Sequence, residues 1–470
     1  MRIVNNLLIL VILLAMASCK TKIPDYTGQW LSIMPDSSFE NWYSEGNFGY
    51  MGDTLILIGR GTHYYTGKIH RARFKNFELE AEIKTGVHAV GALWIHSGNA
   101  SGYQVLIGNT PSSEDHRKTG SLSAIRNVYK SMAADNEWFT LNVKVTGKQI
   151  TIKVNDILVV DYVEPDNPFR TDDNSGMLLT QGSFALSNYT GSSIKIRSLN
   201  LMPLPDNEPS ERNDAVDEQN DEIIRLQQAN FPVIDFHVHL KGWNQEQAMD
   251  HSRKIGIFYG FAPNCGIGFP VTSDEDIYTY LDTTRNLSAF QAMQGEGREW
   301  VTTFSEDSRN QFDYVFTDAL TFTDHRGRRT RLWIPEEVYI DIPREQYMDI
   351  IVDRTVSVLM EEPIDIYVNP TFLPDEMLPY YDELWTDERI DRVIRALVEK
   401  GIALEINARY QIPSEKIIKA AKEAGVRFAF GTNNENSNIG KLEYCLEMMK
   451  KCEITRYDMF FPVVKNLPNR

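Results

Sequence analysis

Two closely spaced histidines are the residues most suited to chemistry in this sequence. His237 and His239 lie in the segment Ile234-Asp235-Phe236-His237-Val238-His239-Leu240, at the end of an apolar run that begins at Val233. In a β-strand, residues i and i+2 project to the same side. Two imidazoles on one side of a strand end are suited to sharing a divalent metal ion. The alternative is that both are core histidines without a ligand.

The elements that would position these histidines alternate between short apolar strands and helices. Helices are predicted at 387–400 and 414–424, with Gly401 and Gly425 at their C-caps. Such an alternation predicts a parallel barrel of the triosephosphate-isomerase type or a close relative, whose strands all end at one mouth. The predicted strands are 233–237, 257–261, 290–293, 314–317, 364–368, 403–406 and 427–430.

The histidine motif and the seven strands resemble the PHP and amidohydrolase superfamilies of metal-dependent hydrolases, and seven strands favour the PHP type. The resemblance implies a (β/α)7-type PHP-like barrel over residues 230–470. Glu296 after the third strand matches a metal-bridging glutamate, and Glu405 matches the glutamate of the family's "L-E-I-N". Glu405 is therefore a catalytic candidate. The implied cofactor is one divalent metal ion, zinc or manganese, with the ligands His237, His239, Glu296 and Asp318.

Three asparagines depart from this family pattern. Asn264, Asn369 and Asn433 stand where the family has two histidines and an aspartate. An amide offers a metal only a neutral carbonyl oxygen, which is a poor ligand for zinc or manganese. A trinuclear centre is therefore not expected, and Asn369 and Asn433 are assigned to substrate binding. The alternative is a barrel that has lost its metals and keeps a polar mouth for binding.

The first half of the chain has a different sequence pattern, which predicts short strands separated by turns. Apolar side chains alternate from Phe77 to Ile83, and Gly147-Lys148 and Asn155-Asp156 lie where tight turns are expected. Many short strands at this spacing predict a β-sandwich. The predicted strands are 54–58, 77–84, 91–96, 103–107, 138–146, 149–154, 157–162, 184–189 and 193–201.

Several motifs of this half resemble, in their order along the chain, the 3-keto-disaccharide hydrolase (3-keto-glucoside 1,2-lyase/hydratase) family. The segment 77–82 is similar to the family's "F-x-L-x-x-E" strand, and 101–105 is similar to "G-Y-E-V-Q". The resemblance implies a concanavalin-like β-sandwich over residues 28–204. Enzymes of this family cleave glycosides whose C3 hydroxyl has been oxidised to a ketone. A base removes the acidified C2 proton, the glycosidic oxygen leaves, and the enolate must be stabilised.

Two substitutions bear on whether the sandwich retains this chemistry. Gln104 stands where the family has glutamate, and Tyr189 stands where it has histidine. A neutral amide cannot act as a base. The polar residues expected near the concave face, and assigned as catalytic candidates, are Glu82, His96, Lys118 and Arg126. The residues assigned to substrate binding are Trp94, Tyr103 and Gln104, although aromatic residues of a sandwich are more often core residues.

The N-terminus has the parts of a bacterial lipoprotein signal. Arg2 supplies a positive charge, Leu7–Ala15 is an apolar run too short to span a membrane, and Leu14-Ala15-Met16-Ala17-Ser18-Cys19 forms a lipobox. Residues 1–18 are therefore predicted to be a signal peptide, and Cys19 is predicted to be lipidated and to anchor the chain stably. We expect the protein in the cell envelope, at the periplasmic face or the cell surface; the alternative is an uncleaved signal anchor.

The composition excludes one class of partner and indicates where the two domains are separated. The net charge of −17 argues against a nucleic-acid partner, because phosphates require basic patches. The polar, acidic stretch 203–220 predicts an acidic linker over 205–229 between the two domains. Three cysteines remain when Cys19 is lipidated, and an odd number disfavours a disulfide framework. The three, Cys265, Cys445 and Cys452, are predicted to be small core residues.

Three functions are compatible with these patterns. The first is a lipid-anchored carbohydrate-processing protein, a hydrolase or lyase that acts on (3-keto-)glycosides through the sandwich. The second is a metal-dependent hydrolase at the barrel mouth. The third is a non-catalytic glycan-binding lipoprotein in which both sites have decayed. In each case the expected partner is a carbohydrate or another small molecule, and the membrane is contacted through the lipid anchor only.

Overall fold

The computed structural model describes residues 25–35, 41–67, 73–98, 101–110 and 115–464, in which a curled antiparallel β-sandwich precedes a parallel barrel. The predicted signal peptide and Cys19 lie outside the described residues, so the lipid anchor stays a prediction. Among the described residues, no helix combines the length and the apolar composition needed to cross a membrane.

The sandwich is one curled sheet of eleven strands. Its strands are β1 Leu31–Ser32, β2 Trp42–Met51, β3 Thr54–Tyr65, β4 Phe77–Thr85, β5 Gly91–Gly98, β6 Ser101–Ile107, β7 Phe139–Thr146, β8 Gln149–Val154, β9 Ile157–Val163, β10 Ser183–Asn188 and β11 Ile194–Pro203. Their order is β6-β5-β10-β3-β11-β4-β7-β8-β9, with β1 beside β11 and β2 beside β3. All nine predicted strands are confirmed.

Strand β4 shows why these residues form a sandwich. Phe77, Leu79, Ala81 and Ile83 are fully buried, and the glutamates between them point to the other face. Period-two alternation of this kind buries one face of a strand and solvates the other. Strand β2 was not predicted, because most of its residues are exposed and its sequence lacks such alternation.

The second domain is a seven-stranded parallel barrel that is nearly closed. Its strands are β12 Ile234–Val238, β13 Phe258–Phe261, β15 Phe290–Gly295, β16 Tyr314–Thr317, β19 Ile366–Tyr367, β20 Ala403–Asn407 and β21 Phe428–Gly431, with β14 Asn264–Cys265 beside β15 and a hairpin of β17 Thr321–Thr323 and β18 Arg329–Arg331. Val238 pairs in parallel with Asn434, so the first strand of the barrel, β12, lies beside the last strand, β21. All seven predicted strands are confirmed.

The helices cover the outside of the barrel. They are α1 Glu222–Gln228, α2 Gln245–Ile255, α3 Asp274–Thr284, α4 Trp300–Thr303, α5 Glu306–Arg309, α6 Arg344–Glu361, α7 Tyr381–Leu384, α8 Asp387–Lys400, α9 Glu415–Glu423 and α10 Glu443–Lys451. Helix α8 begins after Thr386, whose side chain accepts from Arg389 N–H, and ends at Gly401 in the left-handed conformation. The predictions for α8 and α9 are confirmed.

A long loop of the sandwich inserts into the N-terminal end of the barrel. This interdomain loop comprises residues 115–133, between β6 and β7. Its apolar residues join the core of the sandwich to the interior of the barrel in one continuous cluster. Tyr129, for example, packs edge-on against Phe258, with ring centroids 5.7 Å apart, and against Phe461. The loop therefore closes the end of the barrel opposite to the mouth.

Lys130 is the charged residue at the centre of this contact. Its ammonium group lies 2.8 Å from Asp313 Oδ2 and also donates to the Gln291 side chain, and both charged side chains are only 2 % exposed. The same Asp313 oxygen accepts from Gln291 N–H at 2.9 Å. Further hydrogen bonds stabilise a buried ion pair, and here Gln291 bonds to both members.

The segment 205–229, which is predicted to be an acidic linker, connects the two domains and forms specific hydrogen bonds with the sandwich. Its residues follow the sandwich and end in helix α1, which begins at Glu222. Glu218 is buried and accepts from Tyr162 Oη at 2.7 Å and from Arg170 Nη1 at 2.6 Å. Acidic residues that find basic and hydroxyl partners on a folded surface lose the mobility that composition alone suggests. The three cysteines that the structure describes are free and buried, as predicted.

Breaking the Lys130–Asp313 pair should destabilise the protein strongly. We expect Lys130→Met to lower the free energy of unfolding by about 3–5 kcal/mol, because it leaves the Asp313 carboxylate buried without its counter-charge. Denaturation by urea measures this change. Lys416→Gln, which breaks the exposed Lys416–Asp387 pair, should cost about 0–1 kcal/mol. Equal effects of the two substitutions would contradict the importance assigned to the buried pair.

Candidate functional site

The two histidines of β12 lie side by side at the C-terminal mouth of the barrel, as the spacing predicts. Both are buried, and their ring centroids are 5.1 Å apart. His237 Nδ1 lies 2.7 Å from Glu405 Oε1, and His239 Nδ1 lies 2.8 Å from the carbonyl oxygen of Ala262. The Ala262 carbonyl oxygen can only accept, so His239 Nδ1–H donates to it, while His237 Nε2 lies 3.2 Å from Gln294 Oε1. Burial lowers the pKa of His239 to about 3, which keeps its ring neutral.

Two buried carboxylates lie at the ends of two adjacent strands of the barrel. Glu296 follows β15 and Asp318 follows β16. Glu296 Oε1 accepts from Asn264 Nδ2 at 2.6 Å, and Asp318 Oδ2 accepts from Asn369 Nδ2 at 3.3 Å. Burial and the neighbouring Asp318 charge raise the pKa of Glu296 to about 8, and burial raises the pKa of Asp318. Two acids held this way are suited to proton transfer.

Asn369 connects the carboxylates to the histidines. Its backbone N–H donates to Glu405 Oε2 at 2.6 Å, while its Oδ1 accepts from Asn407 Nδ2 and Asn433 Nδ2, each at 3.0 Å. Asn369 and Asn433 both have a φ of 46°, in the left-handed region that asparagine tolerates better than most residues. Glu405 thus orients His237 and Asn369, and its assignment to catalysis stays a prediction.

These groups surround a cavity of about 370 Å³. Asn369 and Asn433, which were assigned to substrate binding, line it, together with His239, Glu296 and Asp318. Other lining residues were not predicted from the sequence, and most of them lie in loops beyond the strand ends. They are Lys241, Phe269, Pro270, Gln294, Trp333, Arg409, Tyr410 and Glu435. Arg409 and Tyr410 directly follow the "L-E-I-N" segment and could have been found there, whereas Trp333 follows the hairpin β17–β18 and carries no such signal.

The fit of this site to a metal ion is incomplete. Each Nδ1 contacts a carboxylate or a carbonyl group, as in metal-ligating histidines, while His237 Nε2 lies 3.2 Å from Gln294 Oε1. However, within the part of the chain that the structure describes, no three His, Cys, Asp or Glu side chains are arranged to hold a metal ion. Glu296 and Asp318 are bonded to asparagine amides instead. The predicted zinc or manganese ion stays a prediction, and no chemical step below depends on it.

The catalytic candidates of the sandwich have separate surroundings. Glu82 lies on the outer face of β4 and forms an ion pair with Arg197, which lies 4.6 Å over the Trp138 ring. His96 is buried and its Nε2–H donates to the carbonyl oxygen of Lys75 at 3.0 Å; burial lowers its pKa to about 4. The pair Glu82 and His96 therefore does not form the acid–base site expected on the concave face.

The two basic candidates belong to the interdomain loop. Arg126 donates to the carbonyl oxygens of Arg253 and Lys254, at 3.1 and 2.8 Å, and so caps the C-terminus of α2. Its role is to hold the two domains together rather than to contact a substrate. Lys118 is buried, and burial lowers the pKa of its amine to about 8. Its Nζ has no hydrogen-bond partner among the described residues.

A different face of the sandwich brings together partly exposed aromatic and polar side chains. Trp94 Nε1 donates to Ser187 Oγ at 2.8 Å, and Tyr189 Oη donates to Gln104 Oε1 at 2.9 Å. Trp94 and Gln104 are cross-strand neighbours on β5 and β6. Trp94 and Gln104, which were both assigned to substrate binding, therefore lie on one face. Tyr103 points the other way, into the core, where its hydroxyl donates to Glu164, and it cannot contact a substrate.

Comparisons with known proteins concern the sandwich. Residues 29–202 match the model of the 3-keto-alpha-glucoside-1,2-lyase-like domain. This domain match ends before the barrel, so the PHP resemblance of residues 230–470 stays a prediction. The curated proteins contain no match to the sequence.

Solved structures similar to the chain include two candidate glycosyl hydrolases from Parabacteroides distasonis. One is 17 % identical, and its match covers 37 % of this chain and 100 % of the chain of that structure, with a TM-score of 0.33. The other is 13 % identical, covers 36 % and 90 %, and has a TM-score of 0.31. The carbohydrate-binding module CBM66 from Bacillus subtilis is 14 % identical, covers 34 % and 94 %, and has a TM-score of 0.26.

The neutral state of His96 leads to a prediction about pH. Because its pKa is lower in the folded protein than in the unfolded chain, the unfolded state binds more protons as the pH falls from about 6.5 to about 4. The stability contributed by the neutral ring is therefore complete above this range and is lost within it. We expect the urea midpoint of His96→Gln to fall less between pH 7 and pH 5 than that of the wild type.

His88→Gln is the matched control, because His88 is exposed. It should leave the pH dependence of the midpoint unchanged. If His96→Gln retained the full pH dependence of the wild type, the ring of His96 would not be neutral in the folded state.

Proposed function

We propose that the chain is a carbohydrate-processing enzyme that cleaves (3-keto-)glycosides by acid–base chemistry at the barrel mouth, while the sandwich binds the glycan. The observation that carries this proposal is the buried carboxylate pair, Glu296 and Asp318, at the wall of the mouth cavity. The catalytic candidates of the sandwich are dispersed, whereas the mouth combines acids, amides and aromatic walls in one cavity.

Elimination from a 3-keto-glycoside requires one base and one acid. An ionised Asp318 would take the C2 proton, and the electron pair of the C2–H bond would become the enolate of the C3 ketone. Collapse of the enolate forms the C1=C2 double bond and breaks the C1–O bond, and a protonated Glu296 would donate its proton to the leaving oxygen. Buried acids with raised pKa values are suited to the second role. The amides of Asn369 and Asn433 could donate hydrogen bonds to the enolate oxygen.

The substrate class is supported by the sandwich. The match of residues 29–202 to the 3-keto-alpha-glucoside-1,2-lyase-like domain favours a 3-keto sugar. The positions of the family's glutamate and histidine are occupied by Gln104 and Tyr189, which are hydrogen-bonded to each other and offer no base of suitable pKa. Aromatic side chains on this face, such as Trp94 and the stacked Tyr43 and Tyr64, suit the apolar face of a sugar ring.

Removal of either mouth carboxylate should abolish turnover. We expect Glu296→Gln and Asp318→Asn each to lower kcat by about 10²–10⁴-fold, the usual contribution of a general acid or base. The assay follows release of p-nitrophenol from p-nitrophenyl 3-keto-glucoside, with p-nitrophenyl glucoside beside it. Glu82→Gln is the matched control, because Glu82 lies in an exposed ion pair of the sandwich.

A loss of turnover in Glu82→Gln alone would return the catalytic site to the sandwich. If the wild type bound glycans but turned over neither compound, the chain would be a non-catalytic glycan-binding protein.

A metal-dependent hydrolase is the second candidate function. It is favoured by the way in which Glu405 and the Ala262 carbonyl group hold the Nδ1 atoms of the two histidines. His237 Nε2 would have to leave Gln294 Oε1 to bind an ion. His237, His239, Glu296 and Asp318 would hold the ion, which would polarise a substrate oxygen. The two carboxylates would first have to leave their amide partners.

Metal analysis of the purified chain tests this candidate. This candidate predicts one equivalent of zinc or manganese by plasma mass spectrometry, lost in His239→Asn and retained in His251→Asn, a histidine of α2 that lies outside the mouth cavity. Absence of bound metal, together with turnover that a chelator does not alter, would remove the second candidate and leave the first.

A further inference from the structure

Two exposed basic side chains lie on one side of the mouth, and the two buried carboxylates lie on the other. Lys241 follows β12 and Arg409 follows β20, and these two strands lie on either side of β21. Glu296 and Asp318 follow β15 and β16, on the other side of the barrel. The carboxylates are buried at the floor, whereas Lys241 and Arg409 are exposed at the rim. A ligand that fills the cavity therefore meets the two buried acids on one wall, and Lys241, Arg409 and the Glu435 carboxylate on the opposite one.

Arg409 is the cation of this rim that is best placed to take an anion. Its Nη1 donates to the carbonyl oxygen of Asn433 at 2.9 Å, and its guanidinium lies 5.4 Å from the centre of the Tyr410 ring. It forms no ion pair with any residue that the structure describes, whereas Lys241 lies 3.4 Å from Glu435. Arginine presents several N–H donors in a planar fork that fits carboxylate and phosphate groups.

We propose that the mouth selects sugars that carry an oxyanion at C6, with Arg409 binding this group. The inference rests on the proposed function, in which C2 lies over the carboxylate pair. In a pyranose ring, C5, which bears C6, lies across the ring from C2. A ring that spans the cavity therefore places its C6 group toward Arg409 when C2 faces Glu296 and Asp318.

The remaining walls suit a sugar ring. Trp333 and Tyr410 line the cavity and can contact the apolar face of the ring, while Asn264, Asn369 and Asn433 offer amides to its hydroxyl groups. The volume of about 370 Å³ is near the lower end of the ~300–1,000 Å³ found for ligand pockets, which fits a small saccharide.

Calorimetric titration of the purified full chain with glucuronate, glucose 6-phosphate and glucose tests the inference. We expect at least one of the two acids to bind at least about tenfold more tightly than glucose, and Arg409→Gln to remove that preference. A preference for glucuronate identifies a carboxylate and one for glucose 6-phosphate identifies a phosphate; both outcomes support the inference. Arg456→Gln is the matched control, because Arg456 likewise lies over the tyrosine that follows it, Tyr457, but outside the mouth cavity.

The inference is overturned if neither acid binds more tightly than glucose, or if the preference survives Arg409→Gln. An unchanged urea midpoint of Arg409→Gln would show that the variant is folded. Turnover by the wild type of p-nitrophenyl 3-keto-glucoside, and of the corresponding 3-keto-glucuronide, separates the two proposals. Turnover without an acid preference removes this inference alone, whereas an acid preference that depends on Arg409, without turnover of either compound, removes only the proposed catalytic function.

Discussion

The buried contact of Lys130 with Asp313 is the interaction on which the arrangement of the two domains depends. Neither charge can be solvated by bulk water at 2 % exposure, so each must be compensated within the protein. Because Gln291 contacts both members of the pair, the interdomain loop is held in register on two adjacent strands, β15 and β16. The apolar cluster around Tyr129 then closes this end of the barrel.

The same two strands connect this contact to the carboxylates. Gln291 lies near the start of β15 and Glu296 follows its end, while Asp313 precedes β16 and Asp318 follows it. At about 3.3 Å per residue, five residues span roughly 17 Å of hydrogen-bonded parallel strand. The distance between β15 and β16 at the N-terminal end of the barrel therefore affects the distance between Glu296 and Asp318 at the mouth. The sandwich is thus part of the scaffold of the mouth, rather than a separate module on a linker.

The sequence predicts those features that depend on local pattern. The periodicity of the strands predicts the folds of both domains, and the i, i+2 spacing predicts that the two histidines lie on one side of their strand. The same periodicity places Tyr103 with Val105 and Ile107 on the core side, so its assignment to substrate binding could have been avoided. The partners of Lys130 could not be predicted, because they lie 161 and 183 residues away along the chain. Composition likewise could not reveal that Glu218 of the supposed linker has specific partners on the sandwich.

The asparagines of the mouth determine how its carboxylates behave. Asn264 and Asn369 donate neutral hydrogen bonds to Glu296 and Asp318, where a metal would supply a positive charge. An amide dipole offsets the desolvation of a carboxylate less than a cation does, so the pKa of Glu296 stays high. A bound cation would lower the pKa of both acids and remove the proton that elimination requires from Glu296. Acid–base catalysis and metal-assisted hydrolysis therefore need opposite protonation states of the same side chain, and the two proposed functions cannot share one state of the mouth.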